Sequence, residues 1–268
     1  MLEVNGENCY NIRCQGRGVE APRFPRTVNR ILFEKSEIVD GIATFGGERA
    51  EHVLNVLHGE VGQILKTGEL DGLIGTSQIL TIEGGVITAR VNHATESLRP
   101  WVDLVLAPPR PRVMKRLLPQ LATMGVGKIV LVGAQKVEKD FWGATLLKPE
   151  NYRPLLVDGL MQGGTSIVPE IELRRGFRKF LREELDTMFP ASSRIVAHPY
   201  GANEECKMEN GNCRGRLLLA IGPEGGWTDE EVALLEEKGF RRYSLGQRIL
   251  RTDTATIALL ARLNTEDK

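Results

Sequence analysis

A glycine-rich loop with one carboxylate lies in the stretch LLLAIGPEGGWTDEEVALLEE, residues 217–237. Gly222, Gly225 and Gly226 permit positive φ angles and a close approach of the main chain to a ligand, because they have no side chain. Pro223 restricts the turn, so the loop suits a flat heteroaromatic ring that is held by backbone amides. A tight turn before a helix would use the same residues, since glycine and proline are common in turns generally.

The residues around this loop favour a helix start and exclude two common nucleotide sites. Thr228 and Glu231 have the spacing of a capping box, so we expect a helix to begin directly after the loop. No G-x-x-x-x-G-K-[ST] motif occurs, which excludes a P-loop. GRGVEA at 16–21 imitates a dinucleotide-binding fingerprint, but no strand precedes it and Pro22 follows it. We therefore do not expect a nicotinamide enzyme.

The elements that must position the loop begin near Trp101, where the pattern becomes alternating strands and helices. Such alternation predicts an α/β unit, a parallel sheet covered on both faces. Met114, Leu117, Leu118 and Leu121 recur at helical spacing, although we expect Pro119 to kink or interrupt that helix. The predicted strands are VDLVLAP, KIVLVG, RIVAHP, RLLLAIG and RRYSLG, and the predicted helices lie near 112–124, 148–162, 176–188, 228–238 and 252–263.

Three loops are expected at one edge of that sheet. Ligands of parallel α/β sheets bind beyond the carboxyl ends of the strands. The loop at Gly222–Gly226 follows one such end, His198-Pro199 follows a second, and Leu245-Gly246 follows a third. The sequence thus predicts that these segments form one site.

The first third of the chain has a different pattern. Between residues 30 and 97, short apolar or alternating runs are separated by glycine, which is typical of a small β-barrel. One short helix is expected in GGERAEHVLNVLHG, with Val53, Leu54, Val56 and Leu57 on it. The change of pattern falls near ESLRPW, so we expect two domains.

Composition excludes several classes of protein. The 268 residues are 41% hydrophobic and 26% charged, with 35 basic and 35 acidic residues, which is ordinary for a globular protein. No apolar run approaches 18 residues, so no membrane span is expected, and residues 1–23 lack the apolar region of a secretory signal. The spacings of Cys9/Cys14 and Cys206/Cys213 do not favour zinc, and we expect free thiols and no metal.

Two long motifs, AIGPEGGWTDEE and SLGQRILRTDTATIALLA, resemble the C-terminal motifs of the bacterial 16S rRNA uridine N3-methyltransferase family, the RsmE type. That family belongs to the SPOUT superfamily. The resemblance implies an α/β methyltransferase domain with a deep trefoil knot at 99–268, a PUA-like β-barrel that binds RNA at 24–98, and an extension of unknown role at 1–23. HVLNVLHGEVGQILKTGELDG, NRILFE and IVPEI resemble further family segments.

The resemblance also implies a methyl donor, S-adenosylmethionine (SAM), and the loops that bind it. Carried over position by position, the donor-binding residues are His198, Pro199, Ile221, Gly222, Pro223, Glu224, Gly225, Gly226, Leu245, Gly246, Ile249, Leu250, Arg251, Thr252, Thr254 and Ala255.

Methyl transfer to uracil N3 needs positioning and removal of a proton from N3. Arg251 could stabilise the uridinate anion, and Asp253 or Glu224 could accept the proton. Each residue has a plainer alternative. Thr252 or Asp253 could cap the last helix, Glu224 could bind loop amides, Arg251 could pair with Asp253, and Trp227 and His198 could serve packing and loop shape.

Several positions depart from the family pattern outside the donor loops. They are His58, Thr123, Ala134 to Val137, Met161, Thr165 and Gln247. The departures favour either an altered RNA target or a second hypothesis, a ribosome assembly factor that keeps the knot without this catalytic activity.

Clustered basic residues predict the RNA-binding surface, because phosphate binding needs Lys and Arg side chains. The resemblance implies a homodimer that methylates N3 of a uridine in small-subunit rRNA, uridine 1498 in bacterial numbering, in the cytoplasm, or in an organelle if the source is a eukaryote. The RNA-binding candidates are Arg23, Arg26, Arg30, Arg110, Arg112, Lys115 and Arg116.

Overall fold

The computed structural model describes residues 30–190, 192–200 and 216–264. No helix within these ranges is long and apolar enough to cross a membrane. The expectations for the extension 1–23, for Arg23 and Arg26, and for the four cysteines lie outside the described residues.

The first part of the chain forms a six-stranded sheet. Its order is β1-β4-β5-β6-β3-β2, in which β1 and β4 are parallel and the other neighbours are antiparallel. Val56 and Leu57, which we expect on the short helix, lie beyond its end. The strands are β1 Ile31–Phe33, β2 Ile38–Val39, β3 Ile42–Phe45, β4 Ile64–Glu69, β5 Ile74–Glu83 and β6 Val86–Thr95, and helix α1 spans Gly47–Asn55.

The second part forms a six-stranded sheet in which every neighbouring pair is parallel, with the order β12-β10-β11-β7-β8-β9. The α/β architecture expected from the sequence is confirmed. The strands are β7 Val102–Leu106, β8 Val126–Val132, β9 Glu170–Arg174, β10 Ser193–Ala197, β11 Leu217–Ile221 and β12 Arg241–Tyr243. The helices are α2 Pro111–Thr123, α3 Pro149–Gly163, α4 Phe177–Lys179, α5 Leu185–Met188, α6 Asp229–Glu237 and α7 Thr252–Leu263, and a π-helical segment Phe180–Glu184 joins α4 to α5.

Both faces of this sheet are covered, as the alternation within its central strands shows. Leu104 and Leu106 of β7 pack into a core with α2, α3 and α7, whereas Val105 packs on the other face with α4, α5 and α6. Burial on both faces explains why β11 is a continuous apolar run and why Asp103 is the single polar residue of β7.

Helix α2 is continuous from Pro111 to Thr123, so Pro119 does not interrupt it. The expected apolar face is buried in the core, and that packing outweighs the local cost of a proline. Strand β9, by contrast, is absent from the sequence prediction. Its residues alternate between charged and apolar at the sheet edge, which is the period-2 pattern of a half-buried strand and a signal that the prediction does not use.

Candidate functional site

The loops that follow four neighbouring strands lie at one edge of the parallel sheet. Strands β12, β10, β11 and β7 are neighbours and run in the same direction, so their carboxyl ends lie together. This arrangement confirms that the three predicted loops share an edge, and it adds the loop from Ala107 to Arg110 that precedes α2. That edge is where parallel α/β sheets bind ligands.

The glycines of the central loop have reasons within the fold itself. Gly226 has a φ of +68°, and its N–H donates to the Pro223 carbonyl at 2.8 Å, closing a turn. A Cβ at Gly222 would lie 3.1 Å from the Trp227 backbone nitrogen, and one at Gly225 would lie 2.9 Å from the Lys136 side chain. Two of the three glycines are therefore explained by close packing, and Gly226 by its backbone angle.

Trp227 is a packing residue, in agreement with the plainer alternative. Its side chain is buried and stacks on Phe177 with 5.2 Å between ring centroids. A buried indole of this kind is not available to stack on a base.

The capping box is confirmed and extends further than the sequence indicates. The Thr228 N–H donates to Glu231 at 2.9 Å, and the Glu231 N–H donates to the Thr228 hydroxyl. Glu231 is buried, and its other carboxylate oxygen accepts from the Gln135 N–H at 2.7 Å. Lys136, in the same loop after β8, donates its Nζ to the Gly225 carbonyl at 2.8 Å. The loop after β8 thus supports the glycine loop, a role that no local sequence signal shows.

Glu224 connects the glycine loop to α2. Its Oε1 accepts from the Arg110 N–H at 3.0 Å, so it does bind a loop amide. The side chain is nevertheless exposed, and within the described residues Oε2 has no partner. One carboxylate oxygen is therefore available to a substrate.

The start of α7 contradicts two of the plainer alternatives: capping of this helix by Thr252 or Asp253, and a pair between Arg251 and Asp253. The N-cap residue is Arg251, without a side-chain capping bond, and Thr252 is already the first helical residue. Asp253 does not pair with Arg251. Its Oδ2 is 3.1 Å from Arg116 of α2, and its Oδ1 accepts from the Thr254 N–H at 3.0 Å. The Arg251 guanidinium is exposed and has no ion pair or side-chain hydrogen bond within the described ranges.

His198 and Ser244 shape the outer loops. The His198 N–H donates to the Tyr243 carbonyl at 3.1 Å, and its ring Nδ1 contacts the Tyr200 backbone, which supports a loop-shaping role. The Ser244 hydroxyl lies 3.2 Å from the Pro199 carbonyl and accepts from the Gly246 N–H at 3.1 Å. Ser244, which the sequence analysis does not single out, therefore joins two of the predicted loops.

The loop between β12 and α7 exposes apolar side chains beside open backbone. Leu245 and Leu250 are exposed, and Ile249 is 74% exposed. Gly246 has a φ of +115°, and a Cβ there would contact nothing within 4 Å. This combination can bind the face of a flat, partly apolar ligand.

The basic residues of α2 lie at the same edge. Arg112 and Lys115 are exposed and, among the described residues, without partners, whereas Arg110 pairs with Glu138 at 2.9 Å. Arg116 is exposed but bonded to Asp253. This cluster can contact phosphates next to the loops.

Arg30 is placed differently from the expectation. Its guanidinium donates to the carbonyls of Thr67 (2.6 Å), Gly75 (3.0 Å) and Gly164 (3.0 Å). Burial lowers its pKa below the ordinary value, and the nearby His93 has its pKa lowered by burial and next by the charge of Arg30. The guanidinium joins parts of the protein to each other, so its placement does not support a phosphate contact.

Two of the positions that depart from the family pattern, one at the end of α2 and one just after α3, lie away from the loops. Thr123 and Thr165 line a cavity of about 140 Å³ at the carboxyl ends of α2 and α3. The Thr123 hydroxyl is within hydrogen-bond distance of the Gly159 carbonyl, at 2.8 Å. The candidate site is at the opposite, amino end of α2, so these departures do not alter it directly. Within the described part of the chain, no group of three or more His, Cys, Asp and Glu residues is placed to hold a metal.

The fold and the site can now be compared with known proteins. Residues 96–264 match the model of the RNA methyltransferase domain family, which defines the class of this protein. Ribosomal RNA small subunit methyltransferase E of Treponema pallidum is 30% identical over 240 residues, covering 87% of this chain and 90% of the relative. A Borreliella burgdorferi relative, ribosomal RNA small subunit methyltransferase E 1, is 25% identical over 232 residues, covering 86% and 95%.

Two solved methyltransferase structures have a fold similar to that of this chain. A putative methyltransferase of Legionella pneumophila in complex with SAM is 25% identical, with a TM-score of 0.69 over 89% of this chain and 97% of that one. The methyltransferase E of Neisseria gonorrhoeae bound to SAM shares the fold, with a TM-score of 0.68 at 23% identity over 88% and 97% of the chains. The chain belongs to the ribosomal RNA small subunit methyltransferase E family, which confirms the resemblance.

Proposed function

We propose that the protein is a SAM-dependent methyltransferase that acts on N3 of a uridine in small-subunit rRNA, at the position corresponding to uridine 1498. The observation that carries the proposal is the convergence of the loops after β10, β11 and β12, which carry the family motifs, at one edge of a parallel sheet. The family and the SAM-bound relatives support the donor.

The candidate loops fit SAM. The backbone at Gly226 and Gly246 is open, since a Cβ at either position would meet no atom within 4 Å. The exposed side chains of Leu245, Ile249 and Leu250 can contact an adenine ring. The remaining proposed donor-binding positions lie in, or directly next to, the loops after β10, β11 and β12. When bound there, SAM supplies an electrophilic methyl group.

The residues at the edge have separate roles in this proposal. The exposed Arg251 guanidinium stabilises the negative charge that develops on uracil when N3 loses its proton. Glu224 accepts that proton through Oε2, which has no partner within the described residues. Asp253 is the weaker candidate, because both of its oxygens are already hydrogen-bonded. Arg112 and Lys115 contact phosphates beside the target.

We further propose the finer features of the family for this chain. Residues 24–98 form a PUA-like barrel that binds RNA, residues 99–268 form a SPOUT domain whose donor loops are knotted, and the enzyme works in the cytoplasm as a homodimer. The family membership and the two observed sheets support this division.

The test is methyl transfer to small ribosomal subunits from a strain that lacks the modification. Calorimetry with SAM is carried out first, and primer extension then maps the modified uridine. Incorporation at one uridine supports the proposal. Donor binding without methyl incorporation favours the assembly factor, and absence of donor binding refutes the site.

A further inference from the structure

One buried joint connects the first sheet to the second part of the chain. Ser166, in the segment after α3, is fully buried. Its N–H donates to the Ser97 hydroxyl at 2.9 Å, its hydroxyl donates to the Gly72 carbonyl at 2.7 Å, and its carbonyl accepts from the Asp71 N–H at 2.8 Å. The backbone N–H, the hydroxyl and the carbonyl of Ser166 thus all form hydrogen bonds that link the two parts of the chain.

Asp71 completes the joint from the other side. Its Oδ1 accepts from the Val168 N–H at 2.8 Å, and its φ of +56° places it in the left-handed region. Asp and Asn enter that region more readily than most residues. The turn between β4 and β5 is therefore shaped to present both an N–H and a carboxylate to one partner segment.

Arg30 adds a second attachment beside the first. Its N–H donates to the Met161 carbonyl at 2.9 Å, and its Nε donates to the Gly164 carbonyl at the end of α3. The same guanidinium binds Thr67 and Gly75 in the first sheet. The end of α3 is therefore fixed to the sheet at several points.

A line of close contacts leads from this joint to the candidate site. Helices α3 and α2 touch at the backbone, since a Cβ at Gly159 would lie 2.0 Å from the Pro119 carbonyl oxygen. The N-cap residue of α2, Arg110, is bonded to Glu224 of the glycine loop, and Arg116 in the middle of α2 is bonded to Asp253 in the first turn of α7. A rigid helix pair thus connects the joint to the loops.

We propose that Asp71 and Ser166 are positioning residues, which fix the first sheet relative to the methyl-donor loops so that an RNA bound across both presents its target at the loops. This inference rests on the proposed function, because that function supplies the reaction. The contacts of Asp71 and Ser166 are observed independently of it. Misplacement of about 1 Å at a distance from the chemistry costs on the order of 10²-fold in rate.

The experiment compares Asp71→Gly with Asp71→Asn in the full-length protein. Glycine keeps the left-handed backbone and removes the acceptor, whereas asparagine keeps both. Asp40→Gly is the matched control, because Asp40 is exposed, has a φ of +50°, and lies in a turn of the same sheet. Ser166→Ala removes the bond to Gly72 while keeping the backbone bonds, and it is the second variant if Asp71→Gly does not fold.

We expect Asp71→Gly and Ser166→Ala to lower kcat/KM for small subunits by about tenfold or more, with the Kd for SAM within about twofold of the parent. Asp71→Asn and Asp40→Gly should retain parental kcat/KM. Faster amide exchange at Val168 in Asp71→Gly, but not in Asp71→Asn, verifies the loss of the joint. Equal kcat/KM in Asp71→Gly and Asp40→Gly would overturn the inference.

Failure of the proposed function can be distinguished from failure of the positioning inference. If the parent protein transfers no methyl group, the affinities of the same variants for small subunits decide the inference. Weaker binding by Asp71→Gly and Ser166→Ala than by Asp71→Asn and Asp40→Gly supports a positioning role, and equal binding by all variants refutes it.

Discussion

Replacement of Gly226 by alanine tests the glycine loop most directly. Gly226 has a φ of +68°, and a Cβ there would meet no atom within 4 Å. The substitution therefore causes backbone strain without a clash, and a left-handed conformation costs an L-residue roughly 1–2 kcal/mol. If SAM binds only the observed conformation, that strain weakens SAM binding by about five- to thirtyfold, since about 1.4 kcal/mol corresponds to tenfold.

Gly239→Ala is the matched control for this strain. Gly239 has a φ of +80°, open space at its Cβ position, and a place in the turn after α6, away from the loops. Gly239→Ala should lower Tm by a few degrees, because its turn keeps the strained conformation. The Gly226→Ala loop relieves that strain in the free protein and has to restore it to bind SAM, so its main effect is on SAM affinity. Gly226→Asn should recover part of the SAM affinity, since asparagine tolerates the left-handed region better than alanine.

The assay is isothermal titration of each variant with SAM, with Tm measured on the same samples. A loss of affinity in Gly226→Ala that is no larger than in Gly239→Ala would refute the argument that this loop binds the donor. Gly225→Val is a less clear test than Gly226→Ala, because its side chain would first displace Lys136.

Three further predictions concern charge at the same edge. Arg251→Ala should lower kcat on the order of 10²-fold with unchanged SAM affinity, whereas Arg262→Ala, an exposed control on the same helix, should not; equal activities would remove Arg251 from the chemistry. Glu224→Gln should lower kcat at saturating SAM by about 10²-fold or more, and an unchanged single-turnover rate would exclude it as the proton acceptor. The double variant of Arg112 and Lys115 to alanine should reduce the slope of log K for RNA against log salt by about 1.5, and a parental slope in binding assays would place the phosphates elsewhere.

Much of the fold, and the location of the candidate site at one edge of the sheet, could be predicted from local sequence patterns. Capping at Thr228, the apolar periodicity of α2 and the continuous apolar strands depend on neighbours a few residues apart, so they can be recognised without the fold. Strand β9 is missing from the prediction although its alternating charged and apolar residues are the period-2 signal of a half-buried strand. The ion pair between Glu172 and Lys128, in contrast, joins two different strands and has no local signal.

The partners of the site residues, in contrast, depend on long-range contacts. Glu224 and Arg110 are separated by 114 positions, and Lys136 and Gly225 by 89. Arg30 belongs to a basic cluster in the sequence, yet its guanidinium lies among three carbonyls. Residue type and spacing indicate which chemistry is available. Which donor meets which acceptor is set when packing brings distant segments together, because hydrogen bonds act over about 3 Å in space whatever the separation along the chain.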